Sequence, residues 1–349
     1  MKCFGILEPN RVGWMDKPVP VPEGFDAVVK LIAVTPCTSD VHNFEMKAVA
    51  PGMTLGHEGI GEVATIGPFV KDIKIGDKVI IPAITPIWRT IERQAGIPQH
   101  SGGLFKGQML ANYKDGLFAE YSLINDADMN LIRIPEGVSD ESAMMLSDMM
   151  ATGFYGAEIA NIEFGDTVVV LGIGPVGLMS IAGAKLRGAA RIIGIGSRKK
   201  CIEIAKYYGA TDIVNYKEGD ITKQVYKLTD KKGADKCIIA GGGNNALNQA
   251  VSMIRWGGSI GNVNYFETYG DLPISNPRWG FGMGNKTIKN GMVPGGRLYI
   301  EKLTQLLKHD RIDPSKLITH KLYGIDKIEE AFKMMSEKPD DLIKVAVWI

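Results

Sequence analysis

Cys37 in PCTSDVH, His57 and Glu58 in GHEGIGEV, and Asp148 in LSDMMATG are residue types from which proteins build cation sites. A soft thiolate, an imidazole and carboxylates together suit Zn2+ and leave a position open for water or substrate, as a catalytic rather than a structural zinc requires. Singly, each has an ordinary explanation: Cys37 as a small buried apolar group, His57 as a turn residue, Asp148 as a helix cap. Cys3, Cys37, Cys201 and Cys237 are the chain's four cysteines, too sparse and too widely spaced for a disulfide framework or a CxxC metal clip. Cys37 therefore acts with other residue types, if it acts at all.

The second chemical signal is Gly172, Gly174 and Gly177, a GxGxxG that follows the apolar run TVVVL and opens a helical stretch. The first glycine permits a tight turn, the second lets a pyrophosphate approach the backbone, and the third lets helix and strand pack closely. Phosphates at that point meet the positive end of the helix dipole. Which dinucleotide is decided at the end of the next strand. NAD recognition places Asp or Glu there for the ribose 2′-hydroxyl, whereas this chain has Gly196-Ser197-Arg198 followed by Lys199 and Lys200. Arg198 can pair with a 2′-phosphate through its planar fork and Ser197 can donate a hydrogen bond, so NADP(H) is expected. The plainer alternative, a solvated basic helix start, is electrostatically unhelpful at a dipole's positive end.

These residues need elements to hold them. The segment 1–150 shows short β patterns punctuated by Gly and Pro at 26–34, 60–67, 76–84 and 118–124, which favours a small barrel or sandwich. After the capping sequence Ser139-Asp140-Glu141, the run MMLSDMMATGFYGAEIA is predicted helical. From Thr167 apolar strands alternate with helices: TVVVLGIG, 176–187, RIIGIGS, 199–208, DIVNY, 221–228, KCIIAG, a further helix, then SIGNVNY. That alternation predicts a doubly wound parallel sheet. The remainder, with helices near 298–308 and 327–337 and the closing strand IKVAVWI, is too small to stand alone and is expected to complete the first domain. The predicted organisation is α/β: a β-rich catalytic domain, 1–150 completed by 295–349, and a Rossmann domain over 151–294.

Length and composition agree with a two-domain globular protein: 349 residues, 45% hydrophobic and 23% charged. Forty basic against thirty-nine acidic side chains give a formal charge of +1, which supplies no field for nucleic acid or an anionic membrane. The start MKCFGILEP lacks the basic and apolar regions of a signal peptide, and no apolar run reaches the roughly 18 residues of a membrane span, so cytoplasmic residence is expected.

GHEGIGEV, an upstream Cys and a central GxGxxG occur together as they do in zinc-containing medium-chain dehydrogenases. Along its whole length the chain is similar to the microbial NADP-dependent secondary alcohol dehydrogenases, through PCTSDVH, IPAITPIWR, HSGG, NDADMNL, LGIGPVGLM, GSR, YGATDIVNY, NVNYF, PGGRL and DPSKL. The resemblance implies a GroES-like catalytic domain and a Rossmann domain, with Cys37, His57 and Asp148 as ligands of one catalytic zinc per subunit. Glu58 would be a fourth ligand that comes and goes. Ser39 would lie beside the alcohol oxygen and His42 would continue a proton relay; the plainer alternatives are a helix cap and a satisfied surface histidine, and the joint spacing of the two from Cys37 favours the relay. The cofactor would touch Pro175 and Val176 within the glycine motif, Gly196, Ser197 and Arg198, and Tyr216, Asn264 and Tyr265 further on. Zinc would lower the pKa of the alcohol so that its hydride passes to the nicotinamide.

Relatives often carry a second, structural zinc on a lobe with four cysteines; here that region has Trp88, Gln94, His100 and Ser101, and packing must hold it. Ala83, Ile84, Met292 and Val293 match pocket positions and suit short secondary alcohols or methyl ketones, such as propan-2-ol and acetone. Gln108 stands where the family has a Trp, and the stretch between His42 and Gly56 is a couple of residues shorter; both leave the physiological substrate open. Tyr265 and Met283 would reach a neighbouring subunit in a homotetramer. The rivals are a polyol or diol dehydrogenase of the same superfamily and a non-catalytic NADPH-binding protein, since fold alone excludes neither.

Overall fold

The computed structural model describes residues 1–45 and 49–349. They form two compact units, Met1–Ala151 with Pro294–Ile349, and Thr152–Val293. No helix among the described residues is long and apolar enough to cross a membrane.

The first unit begins with a hairpin of β1 (Lys2–Glu8) and β2 (Arg11–Asp16), followed by β3 (Ala27–Val34), β4 (Gly59–Ile66), β5 (Lys78–Ile81), β6 (Tyr121–Ile124) and β7 (Ile132–Arg133). The second contributes β8 (Thr167–Leu171), β9 (Arg191–Ile195), β10 (Asp212–Val214), β11 (Ala234–Ile239), β12 (Ile254–Asn262) and β13 (Thr287–Asn290). The chain then returns to the first unit with β14 (Ile318–Tyr323) and β15 (Lys344–Trp348).

In the first unit a seven-stranded sheet runs β14-β15-β3-β4-β5-β7, with β6 also on β3. The β-branched and apolar run AVVKLIAV makes β3 its hub: only Lys30 is exposed, and its partners include β4, β6 and, through Val34↔Val347 and Ala33↔Trp348, the last strand of the chain. Phe4, Val29, Leu31, Leu55, Val63, Phe118, Ile328 and Val347 belong to one buried cluster around it. Each such side chain contributes about 1.5–3 kcal/mol by leaving water. The second unit is a six-stranded parallel sheet in the order β10-β9-β8-β11-β12-β13. TVVVL and RIIGI are buried along almost their whole length, as strands covered by helices on both faces must be.

Two expectations change. The helix predicted to run through MMLSDMMATG is two helices, Asp140–Leu146 and Met149–Ile159, with Ser147 and Asp148 in the turn between them. Ser147 bonds back to the Met144 carbonyl through both its N–H (3.1 Å) and its hydroxyl (2.6 Å), and its own carbonyl accepts from Ala83 N–H at 2.8 Å, so the α-helical ladder stops there. Strand β13, TIKN, was not predicted. It carries no apolar pattern, and it forms because the backbone of β12 offers a parallel partner in register, Ile260↔Ile288.

Candidate metal centre and cofactor cradle

Strand ends of the first unit and the break between the helices Asp140–Leu146 and Met149–Ile159 deliver the donor atoms. Cys37 follows β3 and precedes the helix Thr38–Glu45; His57 and Glu58 lead into β4; Asp148 lies in the turn just described. The bend before His57 depends on Gly56, whose φ is +90° and where an added Cβ would lie 2.3 Å from the Phe118 ring. One ligand atom each from Cys37, His57, Glu58 and Asp148 lie within 4.8 Å of one another. His57 Nε2 is 3.9 Å from Glu58 Oε1 and 3.7 Å from Asp148 Oδ2.

Two side chains absent from the sequence-based set complete the arrangement. Asp40, fully buried, lies with Oδ1 3.0 Å from His57 Nδ1 and accepts from the N–H groups of Cys37 (2.8 Å) and Gly56 (3.2 Å). It thereby orients the ring so that Nε2 faces the other donors. Its acidic side chain three residues after Cys37 was the available signal, obscured because such a residue also reads as a helix-start charge. Lys344, also fully buried, donates to Glu58 Oε1 at 2.9 Å and to the Pro36 carbonyl at 2.9 Å. Nothing local in the sequence marks it, because its partner is 286 residues away.

Burial works against a charged imidazole, yet the Asp40 carboxylate and the hydrogen bonds of Asp148, Asp40 and Cys37 hold His57 well above its ordinary pKa. Burial also raises the Glu58 carboxyl, against the pull of Lys344. Glu58 Oε2 is buried without a hydrogen-bond partner among the described residues. A thiol, an imidazole and two carboxylates facing one another, His57 and Glu58 buried and Cys37 and Asp148 partly exposed, form a set that a divalent cation would satisfy, and this mixture of sulfur, nitrogen and oxygen fits zinc. Ser39 Oγ lies 3.2 Å from His57 Nε2, at the edge of the cluster. His42 is three residues further along the same helix and therefore on the same side of it.

In the second unit, β8 runs into the turn Gly172–Gly174 and the helix Pro175–Leu186. A Cβ on Gly177 would sit 1.8 Å from the Gly172 carbonyl oxygen, whereas one on Gly174 would meet nothing within 4 Å. The motif thus separates a glycine needed for packing from one that leaves the backbone open. Pro175 occupies the first helical turn, where its missing N–H costs nothing, and Val176 follows it. Gly196 and Ser197 follow β9, and Arg198 is the N-cap of the helix Lys199–Tyr208. The Ser197 hydroxyl and the Asn264 amide Nδ2 are buried with no partner among the described residues. Buried donors of this kind fit a dinucleotide phosphate and ribose better than an apolar filling. Tyr216 follows β10 and Tyr265 follows β12, both exposed, at 55% and 58%.

Comparison with known proteins agrees with this geometry. The family described as zinc-binding dehydrogenase matches residues 175–309, and the alcohol dehydrogenase GroES-like domain matches residues 23–136. The NADP-dependent isopropanol dehydrogenases of Thermoanaerobacter brockii and Clostridium beijerinckii are each 54% identical over 349 residues, covering 99% of this chain and 99% of the relative. The chain belongs to the zinc-binding alcohol dehydrogenase family. Among solved structures, a zinc dependent alcohol dehydrogenase from Streptococcus pneumonia superposes with a TM-score of 0.90 at 28% identity, covering 100% of this chain and 98% of that one.

In this dehydrogenase the remaining sequence-based residues fall as follows. Ala83 and Ile84 are buried just beyond β5, and the Ala83–Ser147 hydrogen bond ties them to the turn that carries Asp148. Gln108 is half-buried beside Gly107, whose carbonyl accepts from Thr85 N–H at 2.9 Å. Met292 and the buried Val293 close the second unit. The shortened stretch after His42 includes residues 46–48, which lie outside the described residues. The lobe around Trp88 is held by Trp88 Nε1 to Asn130 at 2.8 Å, Ile87 N to Ser101 Oγ at 3.0 Å, Phe105 N to His100 Nδ1 at 3.2 Å, and Arg93 stacked 4.9 Å from the Trp88 ring; Gln94 ends a short helix there.

Proposed function

We propose that this dehydrogenase interconverts small secondary alcohols and ketones, of the propan-2-ol and acetone type, by hydride exchange with NADP(H) at one catalytic zinc per subunit. The observation that carries the reading is the convergence of Cys37, His57, Glu58 and Asp148 within 4.8 Å in a chain 54% identical to NADP-dependent isopropanol dehydrogenases. When bound, zinc would supply a Lewis acid at the reacting oxygen and the dinucleotide a hydride carrier.

The chain's own residues do the rest. Cys37, His57 and Asp148 hold the metal, with Glu58 as an exchangeable fourth ligand, and Asp40 fixes the His57 ring. Ser39, at the edge of the donor cluster, takes the hydroxyl proton of the alcohol, and His42 on the same helical face passes it on. Ala83 and Ile84 supply apolar lining on the catalytic unit, and Gln108 in place of Trp makes it roomier and more polar. The unit 152–293 holds the cofactor: Gly172, Gly174, Pro175, Val176 and Gly177 at the pyrophosphate, Gly196, Ser197 and Arg198 at the 2′-phosphate, and Tyr216, Asn264 and Tyr265 around the remainder. The unit formed by 1–151 and 294–349 is the catalytic domain.

Cytoplasmic residence and a homotetramer belong to the same reading. Exposed apolar side chains on the second unit, Tyr265, Tyr269, Phe281 and Met283 among them, support self-association. Light scattering on the purified protein tests the tetramer.

The decisive assay is oxidation of NADPH, with NADH in parallel, in the presence of acetone or butan-2-one, before and after zinc removal. Zinc-dependent turnover favouring NADPH is expected; bound zinc and NADPH without turnover would point to a binding role. Faster turnover of butane-2,3-diol or sorbitol than of propan-2-ol would favour the polyol reading.

A further inference from the structure

Lys344 opens β15, and the register of that strand against β3 and β14 fixes where its side chain starts. Its ammonium is wholly buried and makes two contacts of 2.9 Å, to the carbonyl of Pro36 and to Oε1 of Glu58. Pro36 immediately precedes Cys37, and Glu58 immediately follows His57. One cation thus braces the two segments that carry the thiolate and the imidazole. Buried ammonium is costly even when paired, and a methionine would fill the same volume, so packing alone does not account for a lysine here. The contact also divides the two oxygens of Glu58: Oε1 is committed to Lys344, while Oε2 is buried with no partner among the described residues.

We propose that Lys344 is a positioning residue: by holding Glu58 through Oε1 it restrains the carboxylate from closing permanently on the metal, and so keeps the fourth ligand exchangeable. The proposal rests on the reading of Cys37, His57, Glu58 and Asp148 as the metal site. Without Lys344, Glu58 would lose the ammonium that holds Oε1, and in the metal-loaded site the carboxylate would be drawn onto the metal, at the position that substrate must enter.

The test replaces zinc by Co2+ in the full-length protein and compares wild type with Lys344→Met, Lys344→Arg and the double variant Lys344→Met with Glu58→Gln. Lys344→Met is expected to alter the visible cobalt bands, to slow metal loss to a chelator, and to lower kcat for propan-2-ol at least ten-fold with a smaller change in KM. Lys344→Arg, which keeps the charge and the donors, should return the bands toward wild type. Removing Glu58 as well should abolish the effect of losing Lys344. A Lys344→Met protein with wild-type bands and metal-loss rate, changed only in melting temperature, would overturn the proposal. Where Lys344→Met alone does not fold, the double variant leaves no unpaired charge and is compared with Glu58→Gln: identical bands uphold the proposal and different bands overturn it. A wild-type protein that takes up no stoichiometric Co2+ refutes the metal site itself, an outcome distinct from wild-type binding with an unresponsive Lys344→Met.

Discussion

At the residue scale the metal centre is a problem of buried charge, and its partners determine how it responds. Asp40 both orients His57 and holds its proton against burial. Asp40→Asn should therefore weaken zinc binding by about 10–100-fold, as loss of a carboxylate behind a metal-bound imidazole commonly does, measured by competition with a chromogenic chelator. Cys37→Ser should lose stoichiometric zinc altogether, read by elemental analysis. Because His57 in the metal-free chain keeps its proton to a higher pH than an ordinary imidazole, zinc must displace that proton, and affinity should climb as pH is raised through neutrality. A flat profile would mean that His57 does not bind the metal. The proposed ligands, whose donor atoms converge, were legible in the sequence because GHE and the isolated Cys are local patterns. Asp40 was present in the same motif but had a competing local explanation, and Lys344 had no local pattern at all.

At the element scale, helix starts and strand ends carry the chemistry. Gly177→Ala would drive a methyl into the Gly172 carbonyl, since the added Cβ would lie 1.8 Å away. It should lower the melting temperature and weaken NADPH binding, followed by quenching of tryptophan fluorescence. In the same unit Arg191 forks onto Asp212, with Nε and Nη2 both at 2.8 Å, which holds the Asp212 carboxyl below its usual range. A depressed carboxyl pKa gives stability that is present above the unfolded value and lost as pH falls through the folded one. The pair is partly exposed, so Asp212→Asn should cost about 0.5–1 kcal/mol at neutral pH and almost nothing in strong acid, checked by urea denaturation at both. Most elements were readable because their apolar periods are strong: 199–208 and 221–228 were predicted to the residue. The break at Ser147–Asp148 was not, because it depends on a hydrogen bond from Ala83, and β13 was not, because its stability comes from its neighbour rather than its side chains.

At the scale of the whole molecule, the chain leaves its first unit after Ala151 and returns to it at Pro294. The intervening 152–293 contains every strand of its own sheet and its own buried cluster of Val169, Ile193, Val225, Cys237, Ile239 and Ile260. Expressed alone, it should fold cooperatively and bind NADPH without zinc; a fragment that stays unfolded by circular dichroism would show that this core needs the rest of the chain. The amino acids by themselves determined the α/β alternation and pointed to zinc and NADP(H), through the glycine fingerprint, the proposed 2′-phosphate contacts Ser197-Arg198 and the proposed ligand types, because each is written in neighbouring residues through period, spacing or charge. Only the tertiary structure decided which carboxylates share the site, that Asp148 sits in a turn rather than a helix, and that the last strand places Lys344 on Glu58. Those outcomes depend on sheet register and on hydrogen bonds between residues far apart in the chain, and no local pattern encodes them.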